Sequence, residues 1–318
     1  MRTFPPAADD APVLAIDIGG TKLAAALVAS DGSVQVERRT STRADSASAE
    51  ELFTALTRLA DDVVGRAAIS GVGVGCGGPM DWPAGVISPL NIPAWRDFPL
   101  RERLAEQFGG LPVRVHNDAV CVAAGEHWRG AGRGGRNLLG MVISTGVGGG
   151  LVLDGRLVDG ESGNAGHIGH VIVDPDGPPC VCGGQGCLEA IARGPAVVRW
   201  AREHGWAAAA EASGPELVGD ATAGDAAATA ALQRAGHAAG IAIASATALC
   251  DLEVVSIGGG LSAAGELLMA PLRDAVRRYA RLDFARGVRV VRAELGQSAG
   301  LVGAAALVLA GDRYWSAD

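Results

Sequence analysis

The chain is almost without lysine. Lys22 is the only one in 318 residues, although arginine is plentiful. Aromatic residues make up 4% of the sequence against 48% hydrophobic overall, so a core must be built from Ala, Val, Leu and Ile. No apolar run approaches the roughly 20 residues needed to span a bilayer. The N-terminal stretch MRTFPPAADDAP carries acids and prolines where a signal peptide needs an apolar segment. It reads as a short disordered lead-in, and the expected location is cytoplasmic, with no membrane partner. A basic excess is also missing. The net charge of −8 argues against a nucleic-acid partner held through phosphate contacts. Cysteine is sparse, and Cys76, Cys121 and Cys250 sit in apolar segments where they read as core thiols.

The other three cysteines, Cys180, Cys182 and Cys187, fall within eight residues of one another in GNAGHIGHVIVDPDGPPCVCGGQGCLE. His167 and His170 stand just upstream. Three thiolates and one imidazole at this spacing can converge on a tetrahedral Zn²⁺. Gly183, Gly184 and Gly186 let the backbone fold tightly enough for the sulfurs to face inward. The metal would be structural and would pin a loop; a disulfide is disfavoured in a chain that reads as cytosolic.

The length suffices for two domains with separate cores. Val13 to Asp17 reads as a buried strand, Gly19-Gly20 as a tight turn and Lys22 to Val28 as the returning strand. Asp31-Gly32 then turns the chain into a strand from Val34 to Arg39. The turn is neither a GxxxxGK[ST] loop nor a GxGxxG. Its glycines would nevertheless bare backbone N–H groups toward phosphate oxygens, or simply make an ordinary hairpin. The sole lysine lies in this turn.

Apolar periodicity predicts a helix from Ala49 to about Arg66, and a strand follows from Ile69 to Val74. A loop, Gly75 to Asp81, comes at the carboxyl end of that strand, where α/β proteins place ligands. Asn91 stands in a second loop, SPLNIPAW. A short helix is expected over Leu100 to Phe108 and a strand over Val113 to Val115. The strand runs into His116-Asn117-Asp118, and a helix starts at Ala119. Asp118 suits either an N-cap or an active-site carboxylate, and the two are compatible.

After a flexible basic loop at Ala131 to Arg136, Leu138 to Ser144 reads as a strand. A turn from Thr145 to Gly150 and a strand from Leu151 to Leu153 complete a second strand–Gly turn–strand unit, echoing the first. Ala190 to His204 reads as one helix. Trp206 to Ala228 reads as a surface connection or small helices, and Ala230 to Leu249 as a long apolar helix. Val254 to Ile257 is a strand ended by Gly258, Gly259 and Gly260. A helix (Leu267 to Tyr279), a strand (Val288 to Val291) and an Ala-rich helix (Ala299 to Leu309) close the pattern.

Five separated motifs in order (DIGGTK, HNDA, STGVGGG, GHIGH with CxCGxxGCLE, and IGGG) make the chain resemble the ROK family of repressors, uncharacterised frames and sugar kinases, from about Val13 to Leu309. The resemblance implies an α/β, two-lobed actin/hexokinase-like (ribonuclease H-like) fold with a duplicated strand–Gly turn–strand unit and a structural zinc loop. Residues 1–126 plus 299–318 would form one lobe and 127–298 the other. It implies an ATP-dependent kinase acting on the 6-hydroxyl of a hexose, with Asp118 as base. Gly78, Asn91, Asn117, Asp118, His167, His170 and Glu189 would hold the sugar. Asp17, Gly19, Gly20, Thr21, Lys22, Thr145, Gly146, Gly148, Gly258, Gly259 and Gly260 would hold ATP with its Mg²⁺. Zinc would be bound by His170, Cys180, Cys182 and Cys187. Partners would be a small-molecule sugar and ATP, in a homodimer or dimer of dimers.

One departure matters. Most kinases of the family carry Glu where this chain has His167, and an imidazole offers one donor and one acceptor where a carboxylate only accepts. AGHIGH and DIGGTKLAAAL resemble bacterial N-acetylmannosamine kinases, whereas SPLNIPAW and GPMD look like actinobacterial glucokinase-type members. The alternatives are a non-catalytic sugar sensor and a transcriptional repressor of the same family. The sixteen residues before Asp17 are too few for a winged helix.

Overall fold

The apolar run VLAID forms β1 (Val13–Ile18) in the computed structural model, which describes residues 10–42 and 47–316. Most of the N-terminal lead-in, residues 1–9, lies outside the described residues. β2 (Lys22–Val28) and β3 (Val34–Ser41) follow as successive antiparallel neighbours. α1 (Ala49–Val64) starts with a capping box. The Ser48 hydroxyl accepts from the Glu51 N–H, and the Glu51 carboxylate accepts from the Ser48 N–H at 2.7 Å.

β4 (Val72–Cys76) begins later than the apolar run from Ile69 suggests, because the parallel ladder with β1 opens at the Leu14–Val72 pair. Gly75 and Cys76, expected in the loop, are the last residues of this strand. A small sheet that sequence periodicity did not reveal follows: β5 (Met80–Asp81), β6 (Val86–Ile87) and β7 (Phe98–Pro99). Two-residue strands carry too little pattern to read. α2 (Leu100–Gln107), β8 (Val113–Asn117) and α3 (Asp118–Arg129) come next.

β9 (Leu138–Ile143) and β10 (Val147–Leu153) form the second glycine hairpin. Its turn is shorter than expected. The Ser144 N–H already donates to the Gly146 carbonyl at 2.8 Å, so Gly148 and Gly150 are strand residues rather than turn residues. β11 (Arg156–Leu157) closes a hairpin through Asp154 and Gly155, both at positive φ (53° and 74°), the backbone pattern that matches strand twist.

The helix expected over Ala190 to His204 is two helices, α4 (Leu188–Ala192) and α5 (Gly194–Glu203). Pro195 lacks an N–H and sits in the first turn of α5. Arg193, two residues earlier, is extended and caps α5, so the helical ladder breaks there. α6 (Gly214–Thr222) lies in the Ala-rich connection, and its start carries a second capping box, from Ser213 and Glu216. α7 (Ala226–Cys250), β12 (Val254–Gly258), α8 (Glu266–Tyr279), β13 (Arg289–Arg292), α9 (Ala299–Leu309) and α10 (Gly311–Tyr314) complete the chain. Cys250 is half-buried, not a core thiol.

The two larger sheets repeat one design. The first has the order β3-β2-β1-β4-β8 and the second β11-β10-β9-β12-β13. In each, the first strand of a glycine hairpin pairs in parallel with a later strand, which pairs in parallel with another. The chain divides into two compact units. One holds the described residues up to Gly134, Gly150–Ala165 and those from Gln297 on; the other holds Gly135–Gly149 and Gly166–Gly296. These limits differ from the expected boundaries at 126/127 and 298/299 for three local reasons. α3 runs on to Arg129, and the turn after it is tied back by the Ala131 N–H to the Glu126 carboxylate at 2.9 Å. Arg39 donates to the Gln297 side chain at 2.8 Å. Residues 150–165 return to α3, where a Cβ on Gly150 would lie 2.8 Å from the Val120 α-carbon.

In the first unit, α9 lies on α3 at backbone distance. A Cβ on Gly303 would come within 1.6 Å of the Cys121 carbonyl, and one on Gly125 within 2.5 Å of the Ala299 carbonyl. Among the described residues, no helix is long and apolar enough to cross a membrane.

Candidate functional site

The first unit gathers its polar residues at the carboxyl ends of three adjacent parallel strands. β1, β4 and β8 are in register, Asp17 beside Gly75 and Gly75 beside His116, so Asp17 and the Asn117-Asp118 pair emerge on the same edge. The turn after β1 is closed by the Gly19 N–H donating to the Lys22 carbonyl at 2.9 Å. Thr42, almost fully buried, clamps this turn: its hydroxyl donates to the Gly19 carbonyl at 2.6 Å, and its N–H to the Thr21 carbonyl at 3.1 Å. Thr21 and Lys22 are exposed.

Asn91 lies on the same turn. A Cβ on Gly20 would meet Asn91 Cβ at 2.8 Å and Nδ2 at 2.9 Å, and one on Gly77 would meet Asn91 Oδ1 at 3.4 Å. A Cβ on Gly78 would lie 3.7 Å from Asn117 Nδ2. Asn117, not Asp118, is the N-cap of α3. Its Oδ1 accepts from the Ala119 N–H at 3.0 Å, and Asp118 occupies the first helical position, with Oδ1 also accepting from Ala119 at 2.8 Å. Asp17, Gly20, Gly78, Asn91, Asn117 and Asp118, proposed from separate motifs, thus share one strand end.

Asp17 is electrostatically burdened. Burial and then the charge of Asp118 push its pKa from 3.8 up to about 6, and Arg39 pulls the other way. The first turn of α9 also reaches it, since a Cβ on Gly300 would lie 3.0 Å from Asp17 Oδ2. Sequence reading missed Arg39, Thr42 and Gly300, whose parts depend on contacts far apart in the chain. Burial, aided by the Asp17 and Asp118 charges, holds the Cys76 and Cys121 thiols well above the usual range, so they stay protonated core groups.

In the second unit, the segments after β9 and β12 and the start of α5 converge. The Gly194 N–H donates to the Ser144 carbonyl at 2.7 Å, and Gly259, at φ 89°, sits against Ile143. They border a cavity of about 670 Å³ lined by Thr145, Pro195, Val198, Arg202, Gly214 and Leu261, among others. Arg202 braces one wall through bonds to the carbonyls of Ala209, Ala210 and Ala212. Thr145 and Gly260 face this cavity, whereas Gly258 is buried within β12. Glu189, in the first turn of α4, accepts from the Val147 N–H at 3.0 Å and so ties the cysteine-rich loop to the second glycine hairpin.

That loop is knotted by its own backbone. The Cys180 N–H donates to the Gly184 carbonyl at 2.8 Å, and the Val173 N–H to Gly186 at 2.9 Å. Gly186, at φ 68°, leaves no room for a side chain, since a Cβ would overlap the Asp174 carbonyl. The ligand atoms of His170, Cys180, Cys182 and Cys187 all lie within 4.8 Å of one another. Cys182 and Cys187 sulfurs are 3.7 Å apart, and Cys180 Sγ is 3.8 Å from His170 Nδ1. A zinc ion with bonds of about 2.3 Å to sulfur in a tetrahedron would need sulfurs about 3.8 Å apart. The donor set therefore fits such an ion. Backbone N–H groups, first that of Gly184, favour the Cys182 thiolate. His167 lies stacked beside His170, ring centroids 6.3 Å apart, outside the cluster.

Comparison with known proteins agrees with this anatomy. The ROK family model matches residues 13–310, and the chain belongs to the ROK family. It is 35% identical to a glucokinase of Thermotoga maritima over 309 residues, covering 93% of this chain and 96% of that one. It is 37% identical to an N-acetylmannosamine kinase of Shigella boydii over 306 residues, covering 92% and 97%. The crystal structure of a ROK family glucokinase from Streptomyces griseus with glucose and AMPPNP superposes with a TM-score of 0.81 at 33% identity, covering 93% and 98%. The fold is the α/β, duplicated-sheet fold of ROK hexokinase-like structures.

Proposed function

We propose that the protein is an ATP-dependent sugar kinase that phosphorylates the 6-hydroxyl of a hexose, glucose first and N-acetylmannosamine next. The observation that carries this reading is the meeting, within one unit, of the Gly19-Gly20 turn, Asn91 and the Asn117-Asp118 pair at one strand end. A turn suited to phosphate and a carboxylate suited to a hydroxyl proton are what phosphoryl transfer asks of a protein. Relatives named glucokinase and N-acetylmannosamine kinase, over nearly the whole chain, support the same class.

In this reading Asp118 takes the proton of the sugar hydroxyl as its oxygen bonds to the γ-phosphorus of ATP and the bond to the ADP oxygen breaks. Asn91, Asn117 and Gly78 orient the sugar. Gly19, Gly20, Thr21 and Lys22 hold phosphate, and Asp17 acts through water on the metal–phosphate cluster. Mg²⁺ bound with ATP screens phosphate charge. In the second unit we assign Thr145, Gly146, Gly259 and Gly260 to the nucleotide, with the cavity beside α5 for its base, and His167, His170 and Glu189 to sugar hydroxyls. Zinc on His170, Cys180, Cys182 and Cys187 fixes the loop that carries those groups.

A coupled ADP-release assay with Mg-ATP against glucose, mannose, fructose, N-acetylglucosamine and N-acetylmannosamine tests the proposal. Highest kcat/KM on glucose makes His167 a tolerated replacement. Highest kcat/KM on N-acetylmannosamine makes it a specificity residue. No turnover on any of the five contradicts a kinase of this class and favours a sugar sensor or repressor.

A further inference from the structure

Two residues before Asp118, a histidine is fully buried. His116 is 0% exposed at the end of β8, the edge strand of its sheet. Its Nδ1 lies 2.8 Å from the Asn117 backbone nitrogen, and its Nε2 lies 3.0 Å from Asp159 Oδ1. A backbone N–H can only donate, so Nδ1 is an acceptor and carries no proton. The ring is therefore neutral, with its proton on Nε2 and donated to Asp159. Asp159, 8% exposed, accepts from the Ser316 hydroxyl at 2.7 Å on its other oxygen. Its own carbonyl accepts from the Ala165 N–H at 3.0 Å, which closes the loop that presents it. The Trp82 ring lies over the imidazole, centroids 5.7 Å apart, and restricts its rotation. Ser316, Asp159, His116 and the Asn117 amide form one hydrogen-bonded line, and it ends on the peptide that enters the N-cap of α3.

A buried carboxylate and imidazole are costly to desolvate, so a bare structural role would be served as well by apolar residues. What this pair supplies is direction. It orients the Asn117 peptide, and Asn117 and Asp118 are the cap and first residue of a helix whose start must be aimed within fractions of an ångström. We propose that His116 and Asp159 are positioning residues for Asp118: Asp159 selects the Nε2–H tautomer, and the Nδ1 lone pair fixes the peptide that aims the catalytic carboxylate. This rests on the reading of Asp118 as base. Both would act through the Asn117 peptide, His116 being fully buried and Asp159 nearly so.

The test uses the full chain with Mg-ATP and the sugar that turns over best. The variants are His116→Gln, His116→Asn, Asp159→Asn and Asp159→Leu, with Asp118→Asn as reference. Gln keeps a donor at the Nε2 position but no acceptor for the Asn117 N–H, and kcat is expected to fall about tenfold or more. The KM for ATP should stay within about twofold, as it should when only the reacting geometry is disturbed. His116→Asn keeps the acceptor but loses the tie to Asp159, and a smaller loss is expected. Asp159→Asn keeps an acceptor for Nε2–H and should stay close to wild type, whereas Asp159→Leu should match His116→Gln. Nitrogen NMR of wild type should show His116 with an unprotonated Nδ1 and a protonated Nε2.

Wild-type kcat in both His116→Gln and Asp159→Leu, with Asp118→Asn inactive, overturns the positioning role and leaves the kinase reading intact. Losses in kcat and in ATP affinity that track the melting temperature across all four variants also overturn it. Near-normal turnover of Asp118→Asn overturns the kinase reading itself, and the inference with it.

Discussion

Asp17 ionises in the field of Asp118. Burial is the larger cause and the Asp118 charge the next, and together they move Asp17 from 3.8 to about 6. A buried carboxylate raised by burial and by a second carboxylate at the same strand end is an arrangement typical of sites that handle protons and phosphate.

The first prediction concerns pH. In the proposed kinase Asp17 would act ionised on a metal–phosphate cluster, so kcat/KM for Mg-ATP should fall as pH drops through about 6. The effect on stability has the opposite sign. The folded pKa lies above the unfolded one, so the folded state binds the extra proton between pH about 4 and about 6, and stability falls as pH rises through that window. At about 1.36 kcal/mol per pH unit, the ionised group costs on the order of 3 kcal/mol at neutral pH. Asp17→Asn should raise the melting temperature at pH 7.5 and abolish turnover. A variant less stable than wild type at that pH contradicts this account of Asp17.

The Gly19-Gly20 turn should tolerate no side chain at Gly20. A methyl there would meet Asn91 Cβ at 2.8 Å. Gly20→Ala is expected to displace both turn and asparagine and to lower kcat/KM by about tenfold or more, with a small change in melting temperature. Unchanged kinetics would mean that Asn91 and the turn move independently.

The helix pair under the site should be less forgiving. In Gly303→Ala the new methyl would be driven into the Cys121 carbonyl at 1.6 Å, a backbone atom that cannot swing away. The cost should be about 3 kcal/mol or more, at the upper end for overpacking, read as a lower denaturation midpoint at unchanged slope. A midpoint like that of wild type would refute the close α3–α9 contact.

Metal analysis of the purified chain should find zinc bound, and Cys182→Ser or chelation should release it. An ion held by these four residues, His170, Cys180, Cys182 and Cys187, would order one loop, so KM for the sugar should rise before cooperative unfolding is lost. Loss of cooperative folding at unchanged KM would assign the metal to global stability instead.

Much of this anatomy was legible in the sequence because it is local. VLAID, KLAAALV and the Ala299 to Leu309 helix carry their periods openly, and they appear at or within a residue of the expected limits. The two glycine hairpins and the cysteine cluster are short motifs whose spacing states their geometry. Pro195 marks the break at Arg193, but the apolar content runs through it and reads as one helix. What the sequence did not display depends on distant partners. Thr42 on the Gly19 turn, Arg39 near Asp17, Gly300 against the same carboxylate and Asp159 on His116 are each joined across tens to hundreds of residues. No pattern in a single chain encodes such pairings.

The proposed role of Asp118 as the base of a sugar kinase stands or falls with the turnover of Asp118→Asn. With Mg-ATP and the preferred sugar, kcat should fall by about 10² to 10⁴-fold, the usual worth of a general base. The sugar and ATP should still bind, and the melting temperature should stay close to wild type. A folded Asp118→Asn enzyme that turns over near the wild-type rate would contradict the account.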